Sequence, residues 1–83
     1  MKLDNKIIQI GDIYVPVKRR KALNLETVEE IANSLIEIGQ QTPILIRRDR
    51  ERYILVDGLH RLEACKAVGE KTIVALLVQA RKY

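Results

Sequence analysis

Residues 53–64 read Tyr-Ile-Leu-Val-Asp-Gly-Leu-His-Arg-Leu-Glu-Ala, an apolar run that passes through one glycine into a helical pattern. The run over 53–56 predicts a strand, and Gly58 permits the chain to turn sharply where the strand ends. A helix is predicted over about 59–68, before Gly69. Its apolar positions recur every three residues and are Leu59, Leu62, Cys65 and Val68. This order of strand, glycine and helix predicts a local α/β unit.

The start of this helix has the features of an anion-binding site. The first N–H groups of a helix lack intrahelical partners and lie at the positive end of the helix dipole. His60 and Arg61 add positive charge there, which is unfavourable unless an anion such as phosphate is bound. In the alternative interpretation Gly58 serves a tight turn, Asp57 caps the helix, both cations are solvated, and Glu63 offsets part of their charge.

The segment before this unit is predicted to hold a strand, a loop and a long helix. Residues 7–10 predict a short strand, Gly11-Asp12 a turn, and 13–15 an extension or a second strand. Residues 17–24 are charged without periodicity and predict a loop.

The long helix is predicted over 25–38, ending at Gly39. Asn24 is an N-cap candidate, although Thr27 and Glu30 have capping-box spacing and leave the start open by one turn. The predicted buried stripe is Val28, Ile31, Leu35 and Ile38, and the predicted solvent face is Glu29, Asn33 and Glu37.

Two strands at 44–46 and 53–56 are close enough in sequence to form a hairpin, with 47–52 as its loop and Asp49 as the turn residue. Residues 73–78 are apolar throughout and predict a last strand covered on both faces. The predicted fold is therefore α/β (α+β), with a small mixed β-sheet packed with two main helices.

The bulk properties of the chain predict one folded domain over residues 1–83, with 47% hydrophobic and 31% charged residues. No apolar run approaches the ~20 residues that span a bilayer, and the first residues lack a secretory signal pattern. The single cysteine, Cys65, is expected in the core, and with one histidine no Cys- or His-rich metal site is expected. A cytoplasmic protein without a membrane partner is expected.

Positive charge is concentrated in two basic clusters, at 18–21 and 47–52, in a chain of net charge +4. Such clusters predict an anionic partner, either a nucleotide or a nucleic-acid backbone. Any DNA contact is expected to be made to backbone phosphates without base readout. The candidate DNA-contacting residues are Lys18, Lys21, Arg47, Arg48, Arg50 and Arg52.

Three segments, in this order and spacing, resemble the ParB N-terminal domain of the ParB/sulfiredoxin superfamily. The helix at 25–39 carries a serine near its end, and 41–47 corresponds to that family's Gln-Pro strand entrance. Residues 57–64 match the pattern Asp-Gly-x-His-Arg-x-x-Ala. The last strand and an arginine-bearing loop also have counterparts, so the resemblance spans nearly the whole chain and implies a ParB/sulfiredoxin-like fold.

The resemblance implies a nucleotide site assembled from these segments. The residues that correspond to the family's phosphate contacts and pocket are Gly58, His60, Arg61, one of Arg19 and Arg20, Ser34, and Gln41, Thr42 and Pro43. The implied ligand is CTP, ATP or ADP with Mg²⁺. The implied role is a DNA-associated process such as plasmid partition or regulation, and a homodimer is compatible with it.

The chain departs from the family patterns at three points. Leu59 stands where sulfiredoxins carry a cysteine, so sulfinic-acid reduction is not expected. Leu59 and His60 stand where partition proteins carry glutamate and arginine, which weakens the assignment to CTP. Site-specific DNA binding by partition proteins also needs a following helix-turn-helix region, so the 83 residues are either a shortened chain or a free-standing module.

The leading hypothesis is thus a nucleotide-binding ParB-like module, with two alternatives. One is an enzyme, either a ParB-like nuclease or a phosphotransferase, which needs a general base; the nearby carboxylates are Asp57 and Glu63. The other is a ligand-free protein-interaction domain that keeps the fold.

Overall fold

A computed structural model describes residues 5–79 and shows a five-stranded mixed sheet with three helices. The elements are β1 (Asn5–Gln9), β2 (Ile13–Tyr14), α1 (Val17–Arg20), α2 (Leu25–Ile38), β3 (Ile44–Asp49), β4 (Arg52–Asp57), α3 (Leu59–Ala67) and β5 (Thr72–Leu77). The strand order is β1-β5-β3-β4-β2. β1–β5 and β3–β4 are antiparallel, whereas β3–β5 and β2–β4 are parallel. The prediction of a small mixed sheet with two main helices is confirmed.

The core lies between the sheet and α3, and α2 packs on α3. Its most deeply buried large side chains are Ile44, Ile46, Leu55 and Leu62. The predicted apolar positions of α3 are confirmed, since Leu59 and Cys65 are also in the core and Val68 is half-buried. Among residues 5–79, no helix is both long and apolar enough to cross a bilayer.

The start of α2 is confirmed at Asn24. The Asn24 side-chain oxygen accepts hydrogen bonds from the backbone N–H groups of Glu26 (2.9 Å) and Thr27 (3.2 Å). The predicted solvent face is also exposed. Ile38 is not buried as predicted but 62% exposed. The reason is that α2 has 14 residues and packs on α3, which has only 9, so the last turn of α2 has less helix to cover it.

Three further predictions of local structure are wrong. Residues 17–20 form the short helix α1 instead of a loop, because Pro16 starts it and accepts hydrogen bonds from Arg19 and Arg20. The strands of the hairpin extend through most of 47–52, leaving a two-residue turn. Asp49 pairs with Arg52 in the ladder, and Arg50 takes the left-handed turn conformation (φ 58°).

The last strand is covered fully on one face only. Ile73 and Ala75 are buried, whereas Val74 and Leu76 on the opposite face are half-buried. The predicted coverage of both faces is therefore wrong, since α3 packs against one side of the sheet.

A glutamine side chain joins the end of α2 to the sheet. The Gln40 amide donates to the Val74 carbonyl and accepts from the Val74 N–H, both at 2.8 Å, and it also donates to the Thr42 carbonyl at 2.9 Å. It thus pairs with β5 as a peptide group of a neighbouring strand would, next to the first β3 residue, Ile44. This contact anchors the connection that leads into β3.

Candidate functional site

A cleft of about 370 Å³ lies beside the first turn of α3. It is formed where the α1–α2 segment meets the junction between β4 and α3. The residues that line it are Arg19, Ala22, Thr27, Ile31, Asp57, Gly58, Leu59, His60 and Arg61. The motif at 57–61 therefore faces a concave surface, as a ligand site requires.

Gly58 is the N-cap of α3, and no other residue type fits at this position. Its φ of 109° lies in the left-handed region, and a Cβ placed on it would lie 2.6 Å from Cγ2 of Ile44. The absence of a side chain lets the first turn of α3 lie directly against β3.

The first intrahelical hydrogen bond of α3 runs from the Leu62 N–H to the Gly58 carbonyl, at 2.9 Å. The amides of Leu59, His60 and Arg61 precede it and have no intrahelical acceptor. Within residues 5–79 no side chain caps them, and the first turn contains no acidic residue. These donors, at the positive end of the helix dipole, give the cleft a preference for anions.

The His60 imidazole connects this helix start to α2. Its Nε2 accepts a hydrogen bond from the backbone N–H of Asn24, at 2.9 Å. A neutral ring that accepts at Nε2 carries its proton on Nδ1, so Nδ1–H is the donor that remains. The bond therefore fixes the tautomer of His60 and holds the α1–α2 segment against α3.

The two arginines of α1 have different surroundings. Arg19 lines the cleft with Gly58, His60 and Arg61. Arg20 instead donates from Nε to the Val15 carbonyl at 3.0 Å, and its guanidinium lies 5.8 Å from the ring centre of Tyr14. Of the two candidates, Arg19 is the one placed to reach a ligand in the cleft.

The two carboxylates suggested as general bases are also placed differently. Asp57 is exposed, lines the cleft, and makes no capping bond to α3. Glu63 accepts a hydrogen bond from Nζ of Lys66 at 3.1 Å and lines a different depression of the surface. Among the described residues that line the cleft, Asp57 therefore supplies the one carboxylate.

The remaining candidates for the pocket lie outside the lining of the cleft. Ser34 is exposed on α2, beyond Ile31, and Gln41 donates to the Ile38 carbonyl. Thr42 and Pro43 lie at the entrance to β3, immediately before the residue that contacts Gly58. The structure thus brings together the motif at 57–61 with Arg19, but not these four residues.

Five residues in or beside the cleft are not among the predicted site residues. They are Ala22, Asn24, Thr27, Ile31 and Leu59. Asn24 and Thr27 were recognised only for their roles at the start of α2. Their position next to His60 depends on how α2 packs on α3, and no local sequence pattern reports that packing.

Cys65 has a structural position, as predicted. It is buried in the core cluster. Burial raises the pKa of its thiol above the ordinary value of 9.0; the nearby Glu70 charge adds to this, and Arg61 opposes it. A buried thiol with a raised pKa is a poor nucleophile. Leu59, at the start of α3, is also in the core.

Comparison with protein-family models matches residues 3–82 to the ParB N-terminal domain. A probable chromosome-partitioning protein ParB from Campylobacter jejuni is 39% identical over 77 residues, covering 92% of this chain and 28% of that protein. The chain spans only 25–28% of the length of the curated relatives that it matches.

Solved structures share the same fold. Sulfiredoxin from Arabidopsis thaliana has a TM-score of 0.84 and 26% identity, covering 93% of this chain and 86% of that one. The C-terminally truncated ParB from Caulobacter crescentus, in complex with CTP-γ-S, has a TM-score of 0.82 and 25% identity, covering 95% of this chain and 46% of that one. The expected ParB/sulfiredoxin-like fold is confirmed.

Proposed function

Because the chain belongs to the ParB N-terminal domain family, we propose that it binds the phosphates of a nucleotide in the cleft beside α3. The observation that carries this proposal is the set of amides at Leu59, His60 and Arg61, which precede the first bond of α3 and line a cleft with two arginines. The proposed biological role is a DNA-associated process of the partitioning type, since three curated relatives are described as probable chromosome-partitioning proteins.

Each side chain of the proposed site has a distinct task. Arg61, half-buried in the first turn of α3, and Arg19, from α1, supply guanidinium groups that suit phosphate oxygens. His60 supplies Nδ1–H while its Nε2 stays bonded to Asn24. Gly58 lets α3 begin directly against Ile44 of β3, and this contact sets where the amides lie.

A magnesium ion that accompanies the nucleotide would be held in this cleft by the Asp57 carboxylate. Among residues 5–79 no three His, Cys, Asp or Glu residues form a metal-binding group. Nucleotide-bound Mg²⁺ commonly takes one or two protein carboxylates and completes its shell with phosphate oxygens and water. Asp57 is the carboxylate that would serve it, and the ion would neutralise phosphate charge that the arginines do not reach.

The nucleotide proposed first is CTP. A structural relative with 25% identity is known in complex with CTP-γ-S. The amides and guanidinium groups recognise phosphates and do not select a base, so ATP, ADP and GTP belong in the same test.

A thermal-shift screen of the full chain with CTP, ATP, ADP and GTP, with and without Mg²⁺, tests the proposal. A nucleotide at 100 times its Kd should stabilise the protein by about 2.7 kcal/mol, which raises the Tm of a domain of this size by roughly 10 °C or more. Arg61→Ala should weaken binding about tenfold to a hundredfold, because a hydrogen bond to a charged group contributes about 1.5–3 kcal/mol.

Arg19→Gln and Arg20→Gln form a matched pair for the same screen. Both remove one charge from the same short helix, but only Arg19 lines the cleft. We expect Arg19→Gln to reduce the nucleotide-dependent Tm shift and Arg20→Gln to leave it. If no nucleotide shifts the Tm of the unaltered chain, the ligand-free interaction domain becomes the better description.

An enzymatic role is a second candidate, which the free Asp57 carboxylate in the cleft favours. A carboxylate beside bound phosphates can accept the proton of an attacking hydroxyl or water during phosphoryl transfer. Release of phosphate from the nucleotide, or nicking of plasmid DNA, that is lost in Asp57→Asn but retained in Glu63→Gln would support it. Glu63 is the matched control because it is paired with Lys66 outside the cleft.

A further inference from the structure

The tip of the β3–β4 hairpin is a two-stranded ribbon that extends past its neighbours in the sheet. Pairing of β3 with β5 ends at Ile46, and pairing of β2 with β4 begins at Tyr53. The ladder pairs at this tip, Arg48 with Tyr53 and Asp49 with Arg52, therefore lie within the hairpin itself. Residues 48–52 include three exposed arginines, at positions 48, 50 and 52.

The arginines lie on both faces of this ribbon and at its end. Arg48 pairs with Tyr53, and Asp49 pairs with Arg52. Paired residues in an antiparallel ladder share a face and successive residues alternate, so Arg48 and Arg52 point to opposite faces. Arg50 occupies the turn between them. A single phosphate cannot contact guanidinium groups on both faces of a ribbon, whereas two backbones flanking a groove can.

Tyrosine rings hold these guanidinium groups in place. The Arg48 guanidinium lies 5.3 Å from the ring centre of Tyr53, and its Nη2 donates to the Tyr53 hydroxyl at 3.2 Å. On the other face, Arg52 lies 4.3 Å from the ring centre of Tyr14. Arg20, from α1, approaches the same ring. Such preorganisation lowers the entropy lost when a partner binds.

Charge is concentrated around this ribbon. Without Arg19, which lines the cleft, segments 18–21 and 48–52 contain six basic and two acidic residues, a net charge of +4, equal to that of the whole chain. One of the acidic residues, Asp49, is 3.8 Å from Arg52 and offsets part of its charge. Arg20 and Arg52 both lie against the Tyr14 ring, which brings these two arginines together at the β2 edge.

We propose that the β3–β4 hairpin inserts into the major groove of duplex DNA, with Arg48 and Arg52 contacting the phosphates on either side. The major groove of B-DNA is about 12 Å wide and admits a two-stranded β-ribbon. The deep, narrow major groove of duplex RNA does not. Binding is independent of base sequence, because the contacts are to phosphates. The surface is separate from the cleft, and the proposal does not depend on nucleotide binding.

The conformation of Arg50 supports a role for its charge. An arginine at φ 58° is strained relative to glycine, which takes the left-handed region freely. Arg50→Gly should therefore raise the Tm of the chain while weakening DNA binding. Opposite signs for stability and binding would separate loss of contact from loss of fold.

The test is fluorescence anisotropy of the full chain with a labelled DNA duplex of arbitrary sequence, at several salt concentrations. The comparison ligands are an RNA duplex, single-stranded DNA and vesicles containing phosphatidylserine. We expect the chain to bind the DNA duplex more tightly than any of these three ligands. The double variant Arg48→Gln/Arg52→Gln should lower the slope of log K against log salt by about 2, close to one per phosphate contact.

The matched control is Lys6→Gln/Lys71→Gln, which removes the same charge from exposed residues at the β1 side of the sheet. It should leave the salt slope within error of the unaltered chain. Equal losses in the two double variants, equal binding of DNA and RNA duplexes, stronger binding to vesicles, or no binding of DNA at low salt would each overturn the proposal. Nucleotide-dependent Tm shifts of the Arg48→Gln/Arg52→Gln variant should be unchanged, which keeps this result distinct from a failure of the cleft.

Discussion

At the scale of single residues, Gly58 combines two requirements that no other residue type meets. Its backbone is left-handed, and the space where a side chain would begin is occupied by Ile44. Gly69 has only the first requirement, since its φ is 89° but its surroundings are open, and Gly11 has neither. The three glycines therefore separate the contribution of the backbone from that of packing.

Alanine at each of these positions gives a graded prediction. Gly58→Ala should lower the free energy of unfolding by about 2–5 kcal/mol, from 1–2 for the left-handed backbone and 1–3 for overpacking. Gly69→Ala should lower the free energy of unfolding by the backbone contribution alone, about 1–2 kcal/mol. Gly11→Ala should leave the free energy of unfolding almost unchanged. Urea denaturation measures all three, and similar losses at Gly58 and Gly69 would show that contact with Ile44 is unimportant.

The residues of the cleft could be predicted in part from the sequence. The motif at 57–61 is local, so its glycine, histidine and arginine could be assigned from order and spacing alone. The choice between Arg19 and Arg20 could not be made, because it depends on the phase of α1, and a four-residue helix has no periodic pattern to reveal it. Asn24 contacts His60 through its backbone N–H. Every residue except proline has this group, so the residue type does not reveal the contact.

At the scale of elements, the Gln40 side chain makes two hydrogen bonds to β5 that a neighbouring strand would otherwise make. It pairs with both the N–H and the carbonyl of Val74, where the start of β3 does not reach. The chain thus passes from the end of α2 to β3 without leaving these two groups unpaired. The neighbouring Gln41 makes a single exposed bond, to Ile38.

Gln40→Ala should therefore destabilise the fold, and Gln41→Ala should not. Leaving a partly buried N–H and carbonyl without a partner costs about 1–3 kcal/mol, which corresponds to a fall in Tm of several degrees for a domain of this size. Thermal unfolding followed by circular dichroism measures both variants. Equal Tm values for Gln40→Ala and the unaltered chain would show that water replaces the amide without loss.

Long periodic elements were the most predictable. The sequence predicts both α2 and α3, because their apolar positions recur with helical spacing and Gly39 and Gly69 follow their ends. The sequence predicts the hairpin but places its turn too early, at Asp49. Its tip bears charged residues on both faces, so the alternation that normally reveals a strand is absent from 47–52. The coverage of β5 was overestimated, because an apolar run does not report how many faces a helix covers.

At the scale of the whole molecule, positive charge lies at two separate places with different architectures. The cleft gathers guanidinium groups and helix amides around one concave site, as a compact anion such as a nucleotide phosphate requires. The hairpin spreads its arginines over both faces of a projecting ribbon, as a repeating polyanion requires. The sequence reveals both basic segments but not which arginine belongs to which surface. Arg19 and Arg20 are adjacent in sequence, yet Arg19 lines the cleft and Arg20 lies against Tyr14.

The most direct test of the account is a titration of the ¹⁵N-labelled chain with CTP and Mg²⁺, followed by amide chemical shifts. Phosphate bound at the start of α3 should produce the largest changes at the amides of Leu59, His60 and Arg61, with smaller changes at Asn24 through its bond to His60. Changes confined to residues 48–52, with the amides of α3 unmoved at saturating nucleotide, would contradict it.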